Sequence, residues 1–175
     1  YTIIVPDTEG QKADFAAGPE YGYNTLDSIR AAIHSSATGL NSSAKVALVG
    51  YSGGAIATEW AAELAPSYAP DLNKNLIGAA FGGVLVYPEH NLEYIQGTSM
   101  WGGVAGMAFI GIARSYDLDI TKYLTDKGQD VYDARSMAEK ELLALKNGNL
   151  SLLLAGNPKI DLGGEQVLTT AGADV

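Results

Sequence analysis

The chain has 175 residues, about the length of one globular domain, and 47% of them are hydrophobic, which excludes a disordered or fibrous protein. Its formal net charge of −9 repels nucleic-acid phosphate, so a nucleic-acid-binding role is excluded. There is no cysteine and there are only two histidines, which excludes disulfides, thiolate metal sites and a three-histidine zinc site. We therefore expect neither a metal nor a cofactor.

The first residues predict a strand. Ile3-Ile4-Val5 is a β-branched run ended by Pro6-Asp7, a pattern typical of a buried parallel strand, and Asp7 to Pro19 reads as the following loop. Neither a Met nor a secretory leader precedes the run. Because a chain rarely starts inside a strand, we interpret the sequence as a processed or central piece of a longer protein.

Strand and helix patterns then alternate. Apolar residues at Leu26, Ile29 and Ile33 predict a helix that begins with an N-cap at Asn24 or Thr25 and ends before Ser35. The next three predicted elements are a strand at Val46 to Val49, an Ala-rich helix at Ala55 to Leu64 closed by Pro66, and a strand at Leu76 to Phe81 ended by Gly82-Gly83. This order predicts an α/β fold with a parallel sheet covered on both faces.

The composition changes after Val86. Tyr87 to Ala113 is rich in aromatic residues and glycine, and its glycine-rich run Gly102 to Gly106 would let helices approach closely. Asp117 to Leu145 is charged and predicts a helix with one apolar face, formed by Val131, Ala134, Ala138, Leu142 and Leu145. We predict a sheet domain over residues 1–86 and a helical cap inserted over residues 87–175. The uncharged stretch Tyr94 to Ala113 is too diluted by polar residues and glycine to predict a transmembrane helix.

One motif carries chemistry. Residues Gly50-Tyr51-Ser52-Gly53-Gly54 match G-x-S-x-G between a predicted strand and a predicted helix, which is the setting of a nucleophile elbow. In such a turn backbone strain lifts the serine hydroxyl clear of the sheet, and the N–H of Gly53 at the helix N-terminus can serve as an oxyanion donor. Gly50 and Gly54 are expected to keep side chains out of the crowded crossing of strand and helix. The alternative is a glycine-rich turn with a capping serine.

A serine nucleophile needs a base, and neither histidine fits that role by its position. His34 precedes Ser52 and ends a predicted helix, where a histidine ordinarily interacts with the last carbonyls. His90 directly follows the last predicted strand, leaving no room for the strands that normally carry the acid and the base. The sequence thus holds a nucleophile without its triad, and truncation is the simplest explanation.

The chain resembles the secretory lipase family, of the lipase A type, within the α/β-hydrolase superfamily. The likeness rests on the segments Val5 to Gly10, Phe15 to Gly18, Leu26 to Ala32, Val46 to Ala65, Ser67 to Asn73 and Gly78 to Gly83, and it becomes looser from about Val84. The resemblance implies a secreted enzyme that hydrolyses esters or lipids through an acyl-enzyme on Ser52. It also implies a second oxyanion donor upstream of Val5, and an acid and a base downstream of the cap, in the same protein or in a second polypeptide that completes the sheet.

Other residues have weaker claims. Asp7 and Glu9 follow a predicted strand, where they could line a site, but binding loop N–H groups or pairing with Lys12 or Arg30 is the simpler expectation. Tyr51 is expected to pack beside the nucleophile. Met100, Trp101, Met107 and Phe109 could line an acyl pocket or simply form the core of the cap. Two other functions remain open: a binding or assembly module that kept the fold without catalysis, and an acyltransferase that uses the same elbow.

Overall fold

The computed structural model describes residues 1–95, Thr98 and residues 101–133. Its helices and strands are α1 (Gly18–His34), β1 (Val46–Tyr51), α2 (Gly53–Tyr68), β2 (Leu76–Gly82), α3 (Pro88–Ile95), α4 (Gly102–Ser115) and α5 (Asp126–Asp133). Short 3-10 turns occupy Ser36–Thr38, Pro70–Leu72 and Thr121–Tyr123. The order of elements from α1 to β2 agrees with the predicted alternation of helix and strand.

The sheet is parallel, as predicted. β1 and β2 pair in register from Val46 opposite Leu76 to Tyr51 opposite Gly82, with one irregularity after Val46. A parallel pair needs a crossover connection, and α2 supplies it. Both strands extend slightly beyond their predicted ends, so that β1 runs directly into the Ser52 turn.

The core of this region lies where α1 crosses α2 above β1. Leu26 and Ile29 of α1 are buried against Ala61 and Ala65 of α2, together with Leu48 of β1. Burying a side chain of the size of Leu26 contributes roughly 1.5–3 kcal/mol. The small alanines of α2 let α1 come close. The apolar stripe predicted for α1 is therefore confirmed.

Two predicted helix ends are wrong. α1 begins at Gly18 rather than Asn24, because Pro19 lies in its first turn, where a missing N–H costs nothing. The side chain of Asn24 does not cap the helix but donates to the carbonyl of Thr8. α2 runs through Pro66 to Tyr68, since a proline in the last turn removes only one hydrogen bond, to the carbonyl of the exposed Ala62.

The strand predicted at Ile3-Ile4-Val5 is absent. Residues 1–7 have no regular structure, and Ile3 and Val5 are exposed. A strand exists only through hydrogen bonds to a neighbouring strand, and within the described residues β1 pairs with β2 alone.

Coverage of the sheet on both faces is also wrong for the described residues. α2 packs on one face of β1, while Val49 and Tyr51, which alternate with the buried Leu48, are 80% and 77% exposed.

The described chain divides into two compact units. The first holds residues 1–11 and 16–85, and the second holds Lys12–Phe15 with the described residues from Val86 onward. In the second unit Met107 and Ile110 of α4 are buried with Ala113 and Ile120. The role of this unit as a cap stays a prediction.

The single helix predicted from Asp117 is wrong at its start. Asp117 has a positive φ of 52°, and the Asp119 carboxylate accepts from the N–H and hydroxyl of Thr121, so that the regular helix α5 starts only at Asp126. The predicted positions Ala134, Ala138, Leu142 and Leu145 lie outside the described residues, and of Val131 only the backbone is described.

Candidate active site

Ser52 occupies a strained turn between β1 and α2. Its φ of 55° and ψ of −117° are rarely adopted by a residue with a side chain, a conformation that costs on the order of 1–3 kcal/mol. Backbone hydrogen bonds hold it there: the Ser52 N–H donates to the carbonyl of Gly82 at 3.0 Å, and the Ser52 carbonyl accepts from Ala55 at 2.9 Å and from Ile56 at 3.2 Å. The residue is exposed. The turn thus leaves the Ser52 side chain accessible from solvent.

Of the two glycines expected to relieve crowding, only Gly50 does so. A Cβ on Gly50 would overlap the carbonyl oxygen of Gly54 and the hydroxyl of Thr58. A Cβ on Gly54 would meet no heavy atom of the described residues within 4 Å. The expectation that Gly54 relieves crowding is therefore wrong for the described residues. Gly54 matters to Gly50 through its backbone carbonyl, which occupies the space where a Cβ on Gly50 would lie.

Two backbone N–H groups are available at the start of α2. The first turn is closed by bonds from Ala55 and Ile56, and within the described residues the N–H groups of Gly53 and Gly54 have no acceptor. A Cβ on Gly53 would likewise meet no heavy atom of the described residues within 4 Å. A helix N-terminus carries partial positive charge. These N–H groups can therefore donate to a negatively charged oxygen of a molecule bound beside the Ser52 hydroxyl.

The turn after β2 is joined to the Ser52 turn, which no sequence pattern predicted. Gly83 has a positive φ of 64°, and a Cβ there would stand 3.2 Å from the ring of Tyr51. The hydrogen bond from the Ser52 N–H to the Gly82 carbonyl joins this turn to the nucleophile. Tyr51 itself is 77% exposed, so the expectation that it packs beside the nucleophile is wrong for the described residues. The only signal in the sequence was the pair Gly82-Gly83 directly after a strand.

The two histidines have local partners of their own. Nδ1 of His34 lies 2.7 Å from the carbonyl oxygen of Arg30, in the last turn of α1, as expected for a histidine at a helix end. From His34 the chain leads to the start of β1, at the other end of that strand from Ser52. His90 is exposed on α3, and its ring centroid lies 5.3 Å from that of Tyr87.

The acidic residues of the first loop do structural work. Asp7 accepts from the N–H groups of Glu9 and Gly10 at 3.1 Å and 3.3 Å, and Glu9 accepts from the Tyr21 hydroxyl at 3.3 Å. Burial raises the pKa of that hydroxyl, which also accepts from the Ala16 N–H. Of the roles considered for Asp7, binding of loop N–H groups is thus the one that the structure confirms.

The ion pairs considered for these acids are wrong, because the cations have other partners. Lys12 pairs with Asp117 at 3.3 Å, and Arg30 pairs with Asp27 at 2.8 Å and Asp71 at 2.7 Å.

The candidates for an acyl pocket are separated by burial. Met107 is buried in the hydrophobic cluster of the second unit, and Phe109 packs against that cluster. Trp101 caps α4 at its N-terminus and is 54% exposed. Met100 lies outside the described residues. The acyl-pocket role of all four stays a prediction.

Neither a metal-binding cluster nor a membrane-spanning helix is present in the part of the chain that the structure describes. No cluster of three or more acidic or histidine side chains there is arranged as a metal site. No helix in the same part of the chain has both the length and the hydrophobicity needed to cross a bilayer.

Comparison with protein families gives a match over most of the chain. The family described as secretory lipase matches residues 1–152. Lipase 10 of Candida albicans is 45% identical over 141 residues, which are 80% of this chain and 30% of that lipase. A secreted triacylglycerol lipase of Malassezia furfur is 47% identical over 111 residues, which are 61% of this chain and 22% of that protein.

A solved structure supports the same relationship. The crystal structure of Candida antarctica lipase A in its closed state has a TM-score of 0.73 and 34% sequence identity, over 93% of this chain and 38% of that one. Similarity at this level indicates a partial α/β-hydrolase fold, as predicted. The chain spans well under half the length of each of these relatives.

Proposed function

Because the chain belongs to the secretory lipase family, we propose that the protein that contains it is an extracellular carboxylic-ester hydrolase acting on lipid esters. The family and its secreted relative support the extracellular location. The observation that carries the proposed activity is the strained, exposed Ser52 at the start of α2. A Gly-rich turn with a merely capping serine does not fit, since the Ser52 side chain makes no capping hydrogen bond.

The proposed mechanism proceeds through an acyl-enzyme. The Ser52 hydroxyl attacks the ester carbonyl and loses its proton to a base, the carbonyl oxygen becomes negative, and the alcohol leaves. The Gly53 N–H is proposed to stabilise that oxygen, together with the second donor that the family resemblance places upstream of Val5. Water then releases the acid. The base and its acidic partner are proposed to lie outside these 175 residues, because His34 is at the far end of β1 from Ser52 and His90 comes too soon after β2 for the strands that normally carry the acid and the base.

Labelling of the nucleophile tests the proposal. A fluorophosphonate reagent should modify the full-length protein at Ser52, and Ser52→Ala should abolish labelling and lower ester hydrolysis by roughly a thousandfold or more. Ser67→Ala is the matched control, because Ser67 is an exposed serine whose hydroxyl donates to the nearby carbonyl of Leu64. Its labelling and activity should be unchanged.

Two outcomes would redirect the proposal. If the full-length protein does not react and Ser52→Ala leaves hydrolysis unchanged, the non-catalytic binding module is favoured. If Ser52 is labelled but products in the presence of an alcohol are mainly new esters, the elbow serves acyl transfer instead. Product analysis by mass spectrometry separates the two reactions.

A further inference from the structure

A short sequence pattern outside the candidate active site matches a glycan acceptor. Asn41-Ser42-Ser43 fits N-x-S with a residue other than proline in the middle, which is the acceptor for N-linked oligosaccharides in secreted proteins. All three residues are exposed in the turn between Ser36–Thr38 and β1. The same pattern recurs at Asn149-Leu150-Ser151, which lies outside the described residues.

The side chain of Asn41 has a geometry suited to modification at its nitrogen. Its Oδ1 accepts from the Ser43 N–H at 2.9 Å and from the Ser43 hydroxyl at 2.7 Å, so both polar interactions use the oxygen. The amide nitrogen Nδ2 makes no hydrogen bond within the described residues and belongs to an exposed residue. A sugar attached to Nδ2 would therefore leave these contacts intact.

The turn is anchored from its inner side, so a glycan would not disturb the fold. Asn75 is 2% exposed, and its Nδ2 donates to the carbonyls of Ser42 at 3.0 Å and Ala44 at 2.8 Å. The Ala44 N–H closes the turn on the Asn41 carbonyl at 3.0 Å. The backbone is held by a buried residue while the acceptor side chain faces solvent.

The turn also lies away from Ser52. It precedes the first residue of β1, and Ser52 follows the last residue of that six-residue strand. At about 3.3 Å per residue the strand separates the two positions by roughly 20 Å. An oligosaccharide at Asn41 would therefore be attached at the opposite end of β1 from Ser52.

We propose that Asn41 is N-glycosylated as the protein passes through the secretory pathway. In this step Nδ2 of Asn41 attacks the anomeric carbon of an oligosaccharide carried on a polyprenyl pyrophosphate. The new C–N bond forms as the bond from that carbon to the pyrophosphate oxygen breaks, and the Nδ2 proton passes to a base of the oligosaccharide transferase. The carrier leaves as the polyprenyl pyrophosphate.

Peptide-level mass spectrometry of the full-length protein, secreted from a yeast host, is the direct test. Peptide N-glycosidase in heavy-oxygen water converts a glycosylated asparagine to an aspartate carrying the heavy isotope, so the tryptic peptide that includes residue 41 should carry the label. Recovery of that peptide only in its unlabelled, unmodified form would overturn the proposal. This measurement needs no variant and is independent of enzymatic activity.

Variants in an Asn149→Gln background provide the matched controls. Ser43→Ala removes the acceptor pattern but keeps the backbone N–H bound by Asn41, so labelling at residue 41 should be lost in protein that is still secreted. Ser42→Ala and Ser43→Thr alter the same turn but preserve the pattern, so both should retain the label. Labelling that persists in Ser43→Ala would contradict the proposal as firmly as its absence from the unaltered protein.

Discussion

The backbone at Ser52 shows how neighbouring residues maintain a conformation that a serine would not adopt alone. The strain of that conformation, on the order of 1–3 kcal/mol, is offset by backbone hydrogen bonds to Gly82, Ala55 and Ile56. Since the Gly82 bond comes from the next strand, the orientation of Ser52 depends on the turn that ends β2. Residues in that turn should therefore affect catalysis without touching a substrate.

Gly83 offers a test of this dependence. Gly83→Ala would place a methyl group 3.2 Å from the Tyr51 ring at a φ of 64°, which must displace either the ring or the turn. We expect about 1–2 kcal/mol of lost stability from the left-handed backbone, and in addition a drop in kcat of about tenfold or more because Ser52 moves with its neighbour. Steady-state kinetics on an ester substrate and thermal unfolding of the full-length protein measure the two effects.

Gly39→Ala is the control that separates the cost of a left-handed backbone from an effect on the position of Ser52. Gly39 has nearly the same φ, 66°, but a Cβ there would meet no heavy atom of the described residues within 4 Å. It should show the same loss of stability with an unchanged kcat. Equal kcat for Gly83→Ala and Gly39→Ala would mean that the turn after β2 does not position Ser52.

At the level of single residues, the local sequence was sufficient to predict the strained turn at Ser52. It was not sufficient to predict that the turn after β2 lies against it. Ser52 and Gly50 could be identified because the G-x-S-x-G spacing and the flanking strand and helix are all contiguous in sequence. The Tyr51 ring at the end of β1 lies close to Gly83 in the turn after β2. A single sequence does not reveal that these two segments are neighbours. Gly54 was misjudged because the motif does not distinguish a crowded Cβ position from a crowded carbonyl.

Among the helices and short turns, Arg30 links α1 to the end of α2. Its guanidinium donates two hydrogen bonds to Asp71, at 2.7 Å and 3.1 Å, and one each to Asp27 and the Tyr68 carbonyl. It also lies 5.0 Å from the centre of the Tyr68 ring. These contacts hold the 3-10 turn Pro70–Leu72 against α1, beside the buried Leu72.

The Arg30 pair should make stability depend on pH. The hydrogen bonds from Arg30 lower the pKa of the Asp71 carboxyl below its ordinary value, so its contribution is complete above about pH 4 and is lost as the pH falls below that value. Asp71→Asn should therefore have a lower Tm than the unaltered protein at neutral pH, and the difference should narrow in acid. Thermal unfolding at a series of pH values measures this.

Glu63→Gln is the control for the loss of one carboxylate. Glu63 is exposed on α2 and has no ion pair within the described residues, so its amide variant should match the unaltered protein across the pH range. The difference in Tm between Asp71→Asn and the unaltered protein could also stay constant as the pH falls. That result would show that the charge of the Asp71 carboxylate does not stabilise the turn.

The elements themselves were predictable where one hydrophobic face and a clear boundary coincide. β1, α2 and β2 were found because short apolar runs end at glycine or begin at the elbow. The start of α1 was missed because Pro19 was assigned to the loop, although proline favours a first helical turn. The strand at Ile3-Ile4-Val5 failed for a non-local reason, since hydrophobicity alone does not provide the strand beside it.

Considered as a whole molecule, the described chain exposes an apolar sheet surface. Val49, Tyr51 and Ile77 are 80%, 77% and 64% exposed, although they lie in two paired strands. Exposed apolar patches and strand edges without a neighbour favour association. The net charge of −9 opposes it through repulsion between copies, and salt weakens that repulsion.

The 175-residue chain by itself should therefore associate, and more strongly at high salt. Sedimentation velocity over a range of protein and salt concentrations should show the average mass rising with both. Val49→Thr keeps the β-branched shape of the residue but makes the surface more polar, so this variant should associate less. If salt bridges at a specific interface held the copies together instead, salt would weaken the association.

Val86→Thr distinguishes the sheet surface from general hydrophobicity. The exposed fraction of Val86, 68%, is similar to that of Val49, 80%. Val86 differs in lying outside both strands. The same chemical change there should leave association nearly unchanged if the sheet surface is responsible, because Val86 is not part of the sheet. A monomer of constant mass at every salt concentration, or equal effects of the two threonine variants, would show that the exposed sheet surface does not drive association.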